Sequence, residues 1–173
     1  MLMSVSELLL IPSFSDIPEE VLKRKLDAIE SLIRSYTKNN FQVREARFRA
    51  QGKADLLYGS SPYIRKDDTV QLNGINFGLY VVRELIDGQT RVDRELFDAD
   101  CVMVTKVSYP PDIKDGVINL LTWETENRDK VGIKSESLSR HSVTYYDQDA
   151  SNQIMGYPVS LLGFLKPYMK ARF

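Results

Sequence analysis

Apolar positions in the first 40 residues recur with helical spacing. Ser4-Val5-Ser6-Glu7 has the form of a capping box, in which a Ser oxygen takes an amide proton and Glu three residues on reaches back. The helix it opens is short, because Pro12 stops it. A second start follows at Asp16-Ile17-Pro18-Glu19. Asp16 is the expected cap, Pro18 falls in the first turn, and Glu19 and Glu20 suit the positive helix end. Val21, Leu22, Leu26, Ile29, Leu32, Ile33 and Tyr36 then repeat at i, i+3, i+4, which predicts about five turns with one buried face. Asn39-Asn40 is the expected stop.

The period changes at Phe41. Phe41 and Val43 share one parity, and Ala46, Phe48 and Ala50 share the other, so a strand with a bulge near Arg44-Glu45 is expected. Residues 52–62 read as a loop. Thr69 to Leu72, then Asn73-Gly74, then Ile75 onward is a hairpin signal of the type I′ kind. Leu79 to Ile86 reads as a strand, Asp87-Gly88 as its turn, and Thr90 to Phe97 as the return. Asp98 to Asp100 is expected to turn again before the run Cys101–Val107. Residues 41–108 therefore predict a β-rich insertion of about five short strands.

Pro110-Pro111-Asp112 is compatible with a helix start. Ile113, Val117, Leu120 and Leu121 give it a face that ends near Asn127-Arg128, with Gly116 as a weak point. Residues 132–146 read as a polar hairpin or an extended arm, and 147–156 as a polar loop. Tyr157-Pro158 opens a short helix over Val159–Leu165 that Pro167 stops, leaving a tail. The expected fold class is α+β in a single domain, residues 1–173. A small helical bundle forms from about 4–40, 111–128 and 157–166, with the β-rich insertion between its parts.

Composition adds limits. The chain has 173 residues, 43% hydrophobic and 27% charged, with net charge −1. That is ordinary globular composition. A domain of about 150 residues hides roughly 70% of its unfolded surface, so no staples are needed. The run Leu8-Leu9-Leu10-Ile11 is short, follows Glu7 and has no basic region before it, which argues against a signal peptide. No stretch approaches the ~20 apolar residues of a membrane helix, so no membrane partner is expected.

Candidate chemistry is sparse. His141 is the single histidine and Cys101 the single cysteine. A nucleophile–base pair and a cysteine framework are thus not expected. Cys101 opens an apolar run and is expected to be buried and inert. No phosphate-loop motif occurs, and the carboxylate pairs Asp67-Asp68, Asp98/Asp100 and Asp112/Asp115 read as turns and a helix entry. No catalytic residue, cofactor or metal is expected, and the chain does not read as an enzyme.

Charge patterning is more informative. Arg44, Arg47, Arg49 and Lys53 face only Glu45 within 41–53, which is either a solvated strand face or a surface that meets DNA or an acidic partner. After Asp149 no acidic side chain occurs. Lys166, Lys170 and Arg172 mix with Tyr157, Phe164, Tyr168 and Phe173, as in a docking peptide or as in a helix packed on its own core. The polar stretch Lys134 to Arg140 reads as a solvent-facing hairpin or as an arm that adds to a neighbour's sheet.

Two strings carry a resemblance. They are Ser135-Glu136-Ser137-Leu138-Ser139-Arg140-His141-Ser142-Val143-Thr144-Tyr145 and Gly156-Tyr157-Pro158-Val159-Ser160-Leu161-Leu162-Gly163-Phe164-Leu165-Lys166-Pro167-Tyr168. Together with the N-terminal helix layout, they resemble the head–tail connector (head-completion or adaptor) proteins of long-tailed bacteriophages. The chain departs from the smaller members in its segment 41–108. The resemblance implies a virion protein of the neck, made in the host cytoplasm. It implies a ring, commonly dodecameric, that binds below the portal, extends the DNA channel and presents a platform to the next neck or tail-completion (stopper) protein. Genomic DNA would pass through the lumen without sequence-specific binding. Carried onto this chain, Tyr157, Phe164, Lys166, Tyr168, Lys170, Arg172 and Phe173 become the portal-docking candidates. Lys134, Glu136, Arg140, His141 and Tyr145 become the inter-subunit or lumen-facing arm. On this reading the loop 147–156 and the tail 166–173 order only on a partner. The alternative is a monomeric phage- or host-encoded module that binds protein or DNA through Arg44, Arg47, Arg49 and Lys53.

Overall fold

The computed structural model describes residues 2–127, 135–138, 141–144 and 153–171. It is a mixed α+β protein. The chain divides into two compact units, one built around Asn39–Tyr109 and the other from Met3–Lys38 with Pro110 onward.

The helical unit starts at α1, Val5–Leu9. The Ser4 oxygen takes the Glu7 amide proton, and the Glu7 carboxylate takes that of Ser4, the reciprocal cap that the sequence predicts. Helix α2 spans Glu19–Thr37 and buries Leu22, Leu26, Ile29 and Ile33 along one stripe. Its cap differs from expectation. Pro18 occupies the N-cap without a side-chain bond, and its carbonyl accepts from Val21 and Leu22. Asp16 lies too early to cap. The helix ends in left-handed Lys38, φ 55°.

Helix α3, Pro111–Asn127, buries Ile113, Val117, Leu120 and Leu121. The Pro110 carbonyl accepts from Ile113 and Lys114, so the proline pair starts the helix without losing a bond. Short strands β7 (Gln153–Ile154) and β8 (Tyr157–Pro158) form a tight hairpin. The expected short terminal helix is a 3-10 helix, Val159–Tyr168, that runs through Pro167. The proline does not stop it where expected, because Pro removes a donor but its φ still suits a tight turn. Strands β5 (Ser135–Leu138) and β6 (His141–Thr144) pair antiparallel, from Ser135↔Thr144 to Leu138↔His141.

The second unit is a curled antiparallel sheet. Its strands are β1 (Gln42–Tyr58), β2 (Thr69–Leu72), β3 (Gly78–Ile86) and β4 (Gln89–Val107). β4 pairs with β1 from Gln42↔Val107 to Leu57↔Thr90. On its other edge, β4 pairs with β2 at Thr69↔Val107 to Leu72↔Val104, and with β3 at Val82↔Val92 to Ile86↔Gln89. β2 and β3 also pair, so the ladder closes on itself into a small barrel. Register shifts between Ala50 and Leu56 on β1 supply the curvature. Gly59 then passes the middle of its own strand, where a Cβ would stand 2.9 Å from the Arg49 carbonyl oxygen. The interior holds Ala50, Leu57, Ile64, Val70, Leu72, Tyr80, Val82, Val92, Leu96, Val102 and Val104.

Four strands therefore replace the expected five, and two of them are long. The expected loop from 52 onward is strand to Tyr58, and the expected turn at Asp98 to Asp100 is strand throughout. Two register shifts absorb the aspartates, Asp100 between Ala50↔Val102 and Gly52↔Ala99 and Asp98 between Gly52↔Ala99 and Ala54↔Leu96, since ladder bonds to β1 outweigh the local turn preference of Asp. The bulge expected near Arg44-Glu45 is present as a shift between Gln42 and Arg47. The β3–β4 turn has positive φ at Asp87 (42°) and Gly88 (80°), as a type I′ turn requires. Asn73 does not, at φ −113°; the chain there makes a 3-10 turn, Gly74–Asn76, instead of the expected tight hairpin.

Candidate functional site

The described part of the expected docking segment is held on its own unit. Tyr157 is buried; its hydroxyl donates to Glu124 Oε2 at 2.9 Å, and its ring lies 5.8 Å from that of Trp123, tilted by 59°. Glu124 Oε1 in turn accepts from Lys25 Nζ at 2.8 Å, so one carboxylate joins α2, α3 and β8. Phe164 lies over Gly116, and Leu162 and Leu165 are buried beside it in sequence. Tyr168 donates its hydroxyl proton to Asp112, with both carboxylate oxygens within 2.8 Å. That bond, with burial and the Asp112 charge, raises the Tyr168 pKa above its ordinary value. The Lys170 N–H donates to the Thr37 carbonyl at 2.8 Å.

These contacts correct the expectation of a tail that orders only on a partner, at least as far as Lys170. Tyr157 and Tyr168 spend their hydroxyls inside the unit. Its exposed side chains include Lys166, Met169 and Lys170. Beside it, Gly116, Asn119 and Trp123 of α3 with Leu161 and Phe164 of the 3-10 helix line an open groove of about 440 Å³. Arg172 and Phe173 lie outside the described residues.

Of the expected arm, Glu136 stands on β5 and His141 on β6, paired with Val143 and Leu138 respectively. Lys134, Arg140 and Tyr145 lie outside the described residues, as does most of the expected loop 147–156.

The basic strip is on β1. Arg44, Arg47, Arg49 and Lys53 are all exposed. Arg47 is also structural: its Nε donates to Thr105 Oγ1 at 3.1 Å across the ladder, and Nη2 reaches Gln42 Oε1. Gln42 Nε2 in turn donates to Gln71 Oε1 on β2. The other three extend the positive surface along the strand.

One surface escaped the sequence reading. Asn76, 2% exposed, bonds the Phe97 backbone twice: its Nδ2 donates to the Phe97 carbonyl and its Oδ1 accepts the Phe97 N–H, both at 2.8 Å. Its neighbours Ile75 (67% exposed) and Phe77 (72%) therefore stand beside Phe97 (68%). Three large exposed apolar side chains are thus carried on two segments that the Asn76 amide joins. Alternation alone could have flagged Phe97, which is out of phase with buried Leu96; nothing local flags the other two.

Cys101 is exposed, which corrects the expected burial. The strand alternates, and Val102 and Val104 take the interior positions. Among the described residues, no group of three or more His, Cys, Asp or Glu side chains gathers as a metal site. No described helix is long and apolar enough to cross a membrane. No family model and no curated protein matches the chain.

Proposed function

We propose that the chain is a structural neck protein of a long-tailed phage virion, a head–tail connector that forms a ring under the portal. The ring, of twelve copies in the family it resembles, would extend the DNA channel and carry the next neck or stopper protein. The helical unit, arranged as a small bundle, would face the portal with the outward side of its last 3-10 helix, Lys166, Met169 and Lys170. The hairpin β5–β6 would be the arm that reaches a neighbouring copy or the lumen.

The observation that carries this reading is the pair of strings at 135–145 and 156–168, one containing a two-stranded hairpin and the other a turn leading into an exposed basic edge. The charge balance agrees. A near-neutral chain with a segregated basic strip lets DNA pass without gripping it, whereas a strongly basic one would bind it.

The test is the mass of the purified chain alone and with a portal ring, by light scattering with negative-stain images. The expected result is a stacked ring on the portal, lost when 166–173 are deleted. A chain that leaves every portal ring unchanged counts against the reading. The exposed strip Arg44, Arg47, Arg49 and Lys53 favours a second reading, a monomeric module that binds protein or duplex DNA. It predicts duplex binding whose affinity falls steeply with salt, by a log–log slope of about −0.9 per neutralised phosphate.

A further inference from the structure

We infer that the apolar residues Ile75, Phe77 and Phe97 are one half of a head-to-tail contact between copies of this chain, and that Arg44, Arg47 and Arg49 of the basic strip on β1 are the other half. The inference rests on the ring reading and names the surfaces that would build the ring.

Single exposed apolar side chains are normal, but three together, each about two-thirds exposed or more, are a patch. Aromatic side chains on such a patch are what interface cores are enriched in. This patch is also held rigid. The Asn76 amide fixes Phe97 to the turn that carries Ile75 and Phe77, so little ordering cost remains on binding.

Charge selects the occupant. The strand segment around Phe97 carries Asp93, Glu95, Asp98 and Asp100 against Arg94, all exposed. The Arg94 guanidinium is already engaged over the Tyr80 ring, 4.3 Å from its centroid. On the partner strand Lys53 lies between Gly52, paired with Ala99, and Ala54, paired with Leu96, so four carboxylates stand against Arg94 and Lys53 and the rim of the patch is acidic on balance. A two-fold contact of patch on patch would set these carboxylates against their own copies, and like charges opposed across an interface are costly. The complementary surface lies on the same unit: Arg44, Arg47 and Arg49, with Glu45 the single opposing charge in that stretch. Two different surfaces that fit each other give a heterologous contact, which closes into a ring or runs on as a filament.

The experiment is sedimentation velocity of the full chain by itself, in about 0.02 M and about 1 M salt. The strip variant is Arg44→Glu/Arg49→Glu; Arg47 is left in place because it holds Thr105. The rim variant is Asp98→Lys/Asp100→Lys. The patch variant is Phe77→Ser/Phe97→Ser. The wild-type chain is expected to associate at low salt and less at high salt. The strip and rim variants alone are each expected to associate more than about tenfold more weakly, as is the patch variant. An equimolar mixture of strip and rim variants is expected to regain association, because each then meets the opposite charge on the other. That rescue also excludes misfolding as the cause of the loss.

Wild-type association that all three variants leave unchanged would overturn these surfaces while leaving the ring reading intact. A mixture that stays apart would overturn the pairing. A wild-type chain that remains monomeric at about 1 mM would overturn the contact as well. The ring reading would then be judged separately, by the portal mixture.

Discussion

The ring of Phe164 occupies the space that a side chain at Gly116 would need. A Cβ built on Gly116 would stand 2.5 Å from Phe164 Cε2 and Cζ. The glycine that weakens α3 in isolation is the site at which the last 3-10 helix docks on it. Helix propensity alone says that Gly116→Ala stabilises by about 0.5–1 kcal/mol. The contact says the reverse. Gly116→Ala is expected to destabilise the chain when Phe164 is present and to stabilise it in a Phe164→Ala background, with a coupling of about 1 kcal/mol or more. Urea unfolding of the four members of the cycle measures this. Additive effects would mean that the ring swings aside at no cost.

Tyr168 and Asp112 tie the end of the same 3-10 helix to the first turn of α3. The neutral phenol is the hydrogen-bonding form, and the Tyr168 pKa is raised from 10.0 first by that bond, then by burial and by the Asp112 charge. A raised pKa means that the contribution is complete below the unfolded value and is lost as pH rises through the folded one. The tail should therefore stay docked through neutral pH and loosen only in alkali. Asp112→Asn should move the Tyr168 titration down towards 10.0, read site by site in NMR spectra of ring-labelled tyrosine. An unchanged Tyr168 midpoint would exclude the bond in solution.

Asn76 is buried and its amide is used twice. Asn76→Ala leaves the Phe97 N–H and carbonyl without their partner, at a cost of about 1–3 kcal/mol. The Phe97 amide should then exchange hydrogen faster, while amides in the centre of α2 do so only by the global loss of stability. Exchange monitored by NMR separates the two effects. Protection at Phe97 equal to the wild type would argue that another donor–acceptor pair replaces the amide.

Cys101 faces outward from β4. In the folded chain without denaturant, a disulfide reagent such as DTNB should therefore label one thiol per chain at a rate within about tenfold of an exposed small thiol. Labelling that waits for denaturant would return the residue to the interior.

The helical elements were legible because their determinants are close in sequence. Ser4 and Glu7 cap each other across three residues, and the stripe from Leu22 to Ile33 is fixed by the 3.6-residue period. Asp87-Gly88 was legible for the same reason, since a two-residue turn needs only its own dihedrals. Asp98 to Asp100 was misread because a local turn preference competes with ladder bonds to residues more than forty positions away. Cys101 was misread because an apolar run does not say which parity faces inward; the partner strand decides that. The docking aromatics were half legible. Composition marks Tyr157, Phe164 and Tyr168 as anchors, but it cannot say that Glu124, Gly116 and Asp112 of the same chain already hold them.

The capped start of α1, the buried face of α2, the span of α3 and the β-rich character of 41–108 are written into the chain locally, because each follows from contacts within a few residues or from a simple period. That β4 bends to meet both β2 and β3, that Asn76 clamps Phe97 beside exposed Ile75 and Phe77, and that Phe164 lies on Gly116 emerge only from the folded chain. Apart from the β3–β4 hairpin, those features depend on pairs separated by about twenty to fifty residues in the chain. Their loop-closure entropy is offset by burial and hydrogen bonds that exist only once the barrel and the helical unit have formed.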